Sequence, residues 1–414
     1  MKREFVVYSV MLCLVAGFLA FGAAAEDVEI TYFTFSAAPD HLKELEEMIG
    51  LFEESHAGIT IKVETAAWDN YFTRLQTLIA GGTAPDVFEL NYENFVSYAA
   101  KGVLLDLNGL ASADQDFDKS IFYPRALQAF SYKDQQFGLP ETFSTVVLFY
   151  NKDLFDKAGA AYPAEDWTWS EALAAAQKIT DKDADVWGLY SPVQFWEFYK
   201  KVAQGQGTFF SEDGSEVTLN SPANVETLKT MVDFINTHHV MPSDAEMGGV
   251  SDGDLFTSGK LGMLVSGIWM FSAFKDAPFT WDIQVEPGLK QQATHYFANA
   301  VSVSATSKHQ EAAWEWVKFF TSSPEMANIR VSSGWELPTL NNPELLKDYL
   351  QQTSPANRAA VFKSLEYAIV PPVIERQNEM QDIINNLLEQ VKLGTLQPQE
   401  ALDQAKARIE ELLQ

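Results

Sequence analysis

Between Val28 and Leu90 the chain changes periodicity repeatedly, and that rhythm limits its folds more than any other feature. The segments "VEITYFTF", "GITIKVETA" and "PDVFEL" are rich in β-branched and aromatic residues and read as strands. Between them, "HLKELEEMIGLFEES" and "DNYFTRLQTLIAGG" repeat apolar residues at intervals of three and four, the spacing that puts them on one helix face. Strand, helix, strand, helix, strand is the opening of an α/β fold, a mostly parallel sheet covered by helices.

Two later stretches set the domain organisation. "FGLPETFSTVVLFYNKDLF", Phe137 to Phe155, is a long apolar strand entered through Gly-Leu-Pro, with a carboxylate, Glu141, at its mouth. "FANAVSVSAT" is a second strand-like crossing near residue 298, and the helix "SKHQEAAWEWVKFFTS" follows it. A chain that crosses twice has discontinuous domains. The expected division is 26–140 plus 298–352 for one lobe and 141–297 plus 353–414 for the other, a layout that favours a hinged cleft. "TWSE" places Thr168 as a helix N-cap, Asp213-Gly214 sits at a small hairpin turn, and the chain from Pro355 onward reads as nearly all helix.

The N-terminus concerns compartment. Lys2 and Arg3 precede an apolar run from Val6 to Phe21, and Ala23 to Ala25 supply small residues before a cut. Residues 1–25 therefore read as a secretory signal, cleaved after Ala25. The rival, a retained anchor, needs roughly 20 apolar residues where the run has about 16. The only cysteine, Cys13, follows Leu12, where lipid attachment requires a small residue, so lipid anchoring is not expected. The remaining chain has no disulfide and depends on its core. A net charge of −28 excludes nucleic acid and anionic membrane surfaces as natural partners.

Several catalytic or metal patterns fail on inspection. "GVSDG", Gly249 to Gly253, has the G-x-S-x-G form but lacks the strand that must lead into the serine. The runs Asp114-Asp116-Asp118 and Asp181-Asp183-Asp185 lack the later Gly and Glu of a calcium loop and read as solvated turns. His238-His239 has no partner at ligand spacing, and no phosphate-binding or dinucleotide motif occurs. No cofactor or metal is expected.

What holds is a set of aromatic residues beside turns: Phe35, Trp68, Trp196 in "PVQFWEF", Trp269 in "SGIWMF" and Trp335 in "SGWELP". Rings at the ends of elements, where clefts form in α/β folds, suit sugars when carboxylates and amides accompany them. Together "LIAGGTAPDVFEL", "YAAKGVLLDL", "FGLPETFSTVVLFYNKDLFDKAG", "WTWSEALAAAQKIT", "FTSGKLGMLVSGIWMF" and "AAWEWVKFFTSS" give the chain its resemblance to extracellular solute-binding proteins of carbohydrate ABC transporters, the maltose-binding-like family. The resemblance implies two α/β lobes of the periplasmic binding protein type II kind, joined by hinge strands and closing over a neutral mono- or oligosaccharide. It implies a monomeric, exported, periplasmic receptor without enzymatic activity, which docks on membrane permease subunits. It also places site residues. Asn91 follows "PDVFEL", with Tyr92, Glu93 and Asn94 behind it. Glu141 falls at the hinge as a hydroxyl acceptor, Trp269 as a stacking platform, Trp335 and Glu336 at the cleft, and Trp196 as a ring of the second lobe. The first loop offers Phe35 and Ser36 where relatives carry a charged or amide side chain. Asp86 reads as structural, and Arg376 in "PPVIERQ" as a pocket or a surface residue. Two other classes stay open at this point: a receptor for a polyamine, peptide or polyol derivative, and a periplasmic carbohydrate-active enzyme.

Overall fold

The computed structural model describes residues 27–334 and 336–414. The signal segment expected at 1–25 and the site residue Trp335 lie outside the described residues.

Strands β1 (Val28–Thr34), β2 (Ile59–Thr65) and β3 (Val87–Asn91) form the expected opening, with helices Pro39–Ser55 and Trp68–Ala80 between them. β1 pairs in parallel with both β2 and β3. Next in this sheet comes β4 (Leu139–Asn151), buried at every position. At 3.3–3.4 Å per residue, thirteen residues reach about 40 Å. The remaining strands of this sheet are β5 (Met263–Gly267), β6 (Trp281–Gln284), β7 (Thr294–Val303), β8 (Leu337–Pro338) and β9 (Ala368–Ile369), while Ser131–Tyr132 and Gln135–Gln136 form a separate small hairpin. The main path through the sheet is β8-β4-β7-β3-β1-β2, with β5 and β6 on β4 and β9 on β7.

β4 changes partners partway along. Its first part pairs antiparallel with β7, and Val146 to Asn151 pairs with β5 and β6. β4 and β7 are the two long strands that the sequence anticipates near 138–150 and 298. One apolar cluster joins Ile30, Tyr32, Val87, Trp316 and Phe320 to the start of β4 at Leu139, and another joins Val146 and Leu148 of β4 to Phe198, Leu228 and Leu387. Leu345 and Tyr349 share a third cluster with Phe149, Phe256 and Ile283, so the segment after the second crossing packs back against residues between the crossings.

Local signals behave as their chemistry dictates. Thr168 caps helix Trp169–Ile179 in a complete capping box with Glu171. The turn at Gly214 has φ +72°, and an antiparallel bridge between Phe210 and Val217 closes it. Asp86 accepts from the Thr31 amide and hydroxyl and from the Ser307 hydroxyl, which ties β1 to the chain after β7 and fits its structural reading. Ser251 of "GVSDG" caps helix Asp252–Thr257 by accepting from the Asp254 amide. Asp114 takes hydrogen bonds from Trp314 and Lys318, and Asp181 caps a short 3-10 turn at Ala184.

Candidate functional site

The polar part of the site is built on a β-bulge. Pro140 pairs with Ala300 and Thr142 with Asn299, so Glu141 is an extra residue with no partner on β7. A bulge re-aims the side chain at the irregularity, and both Glu141 and Thr142 reach one buried group of polar residues. Arg330, from helix Pro324–Ser333, donates to Glu141 Oε1. Thr142 donates to Glu336 at 2.7 Å, and Asn299 donates to Thr142 at 3.2 Å and to Glu336 at 3.4 Å. Glu89 belongs to the same group. It accepts from Thr34 at 2.6 Å, whose oxygen in turn accepts from the Ser36 amide at 3.0 Å. Ser36 is itself buried.

Three carboxyls thus surround one guanidinium away from water. Burial and then the nearby Glu141 hold Glu89 well above the usual carboxylate range. Burial, partly opposed by the Thr142 hydrogen bond, pushes Glu336 up to about 7. Glu141 is also raised by burial, while Arg330 pulls it back toward the charged form. The arrangement with least uncompensated charge leaves Glu141 as the anion of Arg330 and keeps protons on Glu89 and Glu336. Glu141 Oε2 has no hydrogen-bond partner among the described residues, so one oxygen of this carboxylate is uncommitted.

A second polar set stands beside it on the same row of the sheet, since Asn299 faces Asn91 as well as Thr142. Asn91 donates to Glu93 at 2.6 Å and accepts from Asn94 at 2.7 Å. Glu93 Oε1 lies 2.9 Å from His295 Nε2, both side chains being buried. Burial lowers the His295 pKa, with Glu93 opposing. His295, Phe297 and Asn299 alternate along β7, the spacing that puts them on one face of a strand. Phe297 stacks on His295 at 3.4 Å.

The rings fall into two groups. Trp196 and Trp269 flank Phe297, with centroids 6.0 and 5.2 Å away and planes tilted by 58° and 75°. Beneath Trp196, Lys200 Nζ lies 5.6 Å from its ring centroid. That lysine belongs to a buried square in which Lys200 and Lys201 each contact Glu197 and Glu286. On the other side of the hinge, Phe35 meets Trp68 edge-on at 5.0 Å, and Trp68 is 49% exposed. Half-open rings backed by fixed charge can stack on apolar ligand faces, while the carboxyl, amide and hydroxyl groups accept and donate to ligand hydroxyls.

Of the residues expected from sequence, Asn91 and Glu93 come together in one network, Glu141 and Glu336 in another, Trp196 and Trp269 around Phe297, and Phe35 with Trp68. Ser36 joins through its backbone. Arg376 is exposed and pairs with Glu379, apart from these groups. Glu89, Arg330, Thr142, Asn299, His295 and Phe297 were not anticipated. Glu89 carried a signal, a carboxylate inside the apolar strand "VFEL". Arg330 carried none, since only the fold brings its helix to β4.

Comparison with known proteins places the chain. Residues 38–327 match the family model for bacterial extracellular solute-binding proteins. An ABC substrate-binding protein from Listeria monocytogenes, solved in complex with cycloalternan, is 48% identical and superposes with a TM-score of 0.91 over 93% of this chain and 98% of that one. The arabinooligosaccharide-binding protein of Bacillus subtilis is 25% identical over 99% of this chain and 100% of its own. The galactooligosaccharide-binding protein of the same organism is also 25% identical, covering 87% of this chain and 84% of its own. With a two-lobed α/β architecture and a family match spanning most of its length, the chain belongs to the bacterial extracellular solute-binding proteins.

Proposed function

We propose that this protein is the exported receptor of an ABC importer, binding an oligosaccharide between its lobes and delivering it to membrane permease subunits. The observation that carries the reading is the gathering of half-open rings on both sides of the crossing strands, Trp196, Phe297 and Trp269 on one and Phe35 and Trp68 on the other. The strong likeness to a cycloalternan-bound receptor makes a cyclic or strongly curved gluco-oligosaccharide the first ligand to try.

In the mechanism, the ligand settles on the rings of one lobe and closure adds contacts from the other. A ligand shifts this equilibrium only by its preference for the closed form, so both lobes must touch it. The uncommitted Oε2 of Glu141 is the proposed hydroxyl acceptor at the hinge. Calorimetry with cycloalternan, linear gluco-oligosaccharides, galacto- and arabino-oligosaccharides and polyamines tests the reading, with chromatography to detect breakdown. Saturable binding of an intact sugar is expected. Binding of polyamines alone, or turnover of a sugar, would replace the reading. Trp269→Ala and Glu141→Ala should each weaken sugar binding about tenfold or more, the equivalent of about 1.4 kcal/mol, while the protein stays folded.

A further inference from the structure

Gly267, the last residue of β5, has φ −90° and ψ 166°, a conformation open to any amino acid. Its backbone therefore does not call for glycine. Its surroundings do, because a Cβ built there would lie 1.9 Å from Trp269 Cζ3 and 2.2 Å from Cε3 and Cη2. Those atoms belong to the six-membered ring of the indole, so the ring lies directly over the space where a side chain would begin. At Gly188, by contrast, a Cβ would strike the backbone of Ala176, which is ordinary core packing.

Among the described residues, little else fixes the ring over Gly267. Trp269 is only half-buried and takes no part in the apolar clusters on either side, although its neighbours Ile268 and Phe271 do. Its aromatic contact is with Phe297, edge-on, and Phe297 is itself pinned by stacking on His295. Gly267 below and Phe297 beside it define where the indole sits. Even one methyl group at 267 has to displace the ring, because β5 is buried and paired with Val146 and an aromatic plane does not bend.

We infer that Gly267 is a positioning residue of the ligand cleft: the missing side chain is the seat of the Trp269 ring, and it sets the ring's angle to Phe297. The inference rests on Trp269 facing ligand, but the seating of the ring is measurable without ligand. Gly267→Ala should change the near-ultraviolet circular dichroism of the unliganded protein and raise the acrylamide quenching of tryptophan. Both changes should vanish in a Trp269→Phe background, whose smaller ring lacks the clashing atoms. For binding, cycloalternan is the probe. Gly267→Ala should weaken it at least tenfold in the parent protein and by less than about twofold in the Trp269→Ala background, because Gly267 acts only through that ring. Unfolding midpoints of each variant separate ring displacement from loss of fold. Unchanged spectra in Gly267→Ala would overturn the inference, as would equal losses of affinity with and without Trp269. If the parent protein does not bind cycloalternan, the ligand assignment fails and the spectral pair still decides the role of Gly267.

Discussion

At the scale of the residue, the hinge acids are unusual in being buried together around one cation. Glu336 is the member whose chemistry can be followed in solution. Its carboxyl titrates near 7 in the folded chain against 4.5 for an ordinary glutamate, so the folded state holds the proton more tightly. The contribution to stability is present in full below about 4.5 and is lost as the pH rises through 7. A shift of that size corresponds to about 3 kcal/mol across the window. Glu89 and Glu141, also raised, act in the same sense. Glu336→Gln keeps the shape and cannot titrate, so its unfolding free energy should fall less between pH 5 and 8 than that of the parent. Parallel pH profiles for the two proteins would show that Glu336 holds no extra proton. Glu141 was legible as a residue with a special environment, because a carboxylate at the mouth of an apolar strand needs a partner, and Arg330 supplies it. The bulge that aims it was not legible, since pairing register depends on β7, more than a hundred residues away.

At the scale of the element, helix Phe195–Gln204 shows how a ring platform is made rigid. Lys200 and Lys201 are consecutive and inward-facing, and both are buried with Glu197 of the same helix and Glu286 after β6. Lys201 Nζ also lies 3.1 Å from the centroid of Trp169, whose indole donates to Gln204 at 2.8 Å. Replacing Lys200 leaves two buried carboxylates to share one cation, Lys201, so one negative charge is uncompensated away from water. Lys200→Met should therefore cost about 3–5 kcal/mol in urea unfolding. A loss under about 1 kcal/mol would mean that the square relaxes around the gap. The helix itself was readable from "QFWEF" onward, and its Trp196 was expected at the cleft. The square was not, because adjacent lysines in a sequence ordinarily mark a solvated face and Glu286 is remote in the chain.

At the scale of the whole molecule, contacts already span the halves joined by β4 and β7. Ser272, just after the Trp269 turn, donates to Asp40 in the first turn of helix Pro39–Ser55 at 2.7 Å. Tyr132 donates to Glu375 at 2.7 Å. The Ser272 bond joins a carboxylate of one half to the other, so in the proposed receptor it would favour the closed form. Removing it with Ser272→Ala should cost about 1–2 kcal/mol, or about five- to thirtyfold in the closing equilibrium. X-ray scattering of the unliganded variant should show a larger radius of gyration, and sugar should dissociate faster; an unchanged radius and rate would remove the bond from the closing step. The α/β class and both long strands, β4 and β7, could be read from the sequence, because periodicity and burial are local. Which residues meet across 232 positions of chain, as Asp40 and Ser272 do, is decided only by how the halves lie together.

The bulge on β4 has one more consequence. Pro140 and Thr142 face consecutive residues of β7, Ala300 and Asn299, so the ladder keeps its register as though Glu141 were not there. The acid is an insertion into a finished sheet. A single codon lost at this point would take the carboxylate out of the hinge without re-pairing any strand, and the lasting cost would fall on Arg330, left buried without its anion.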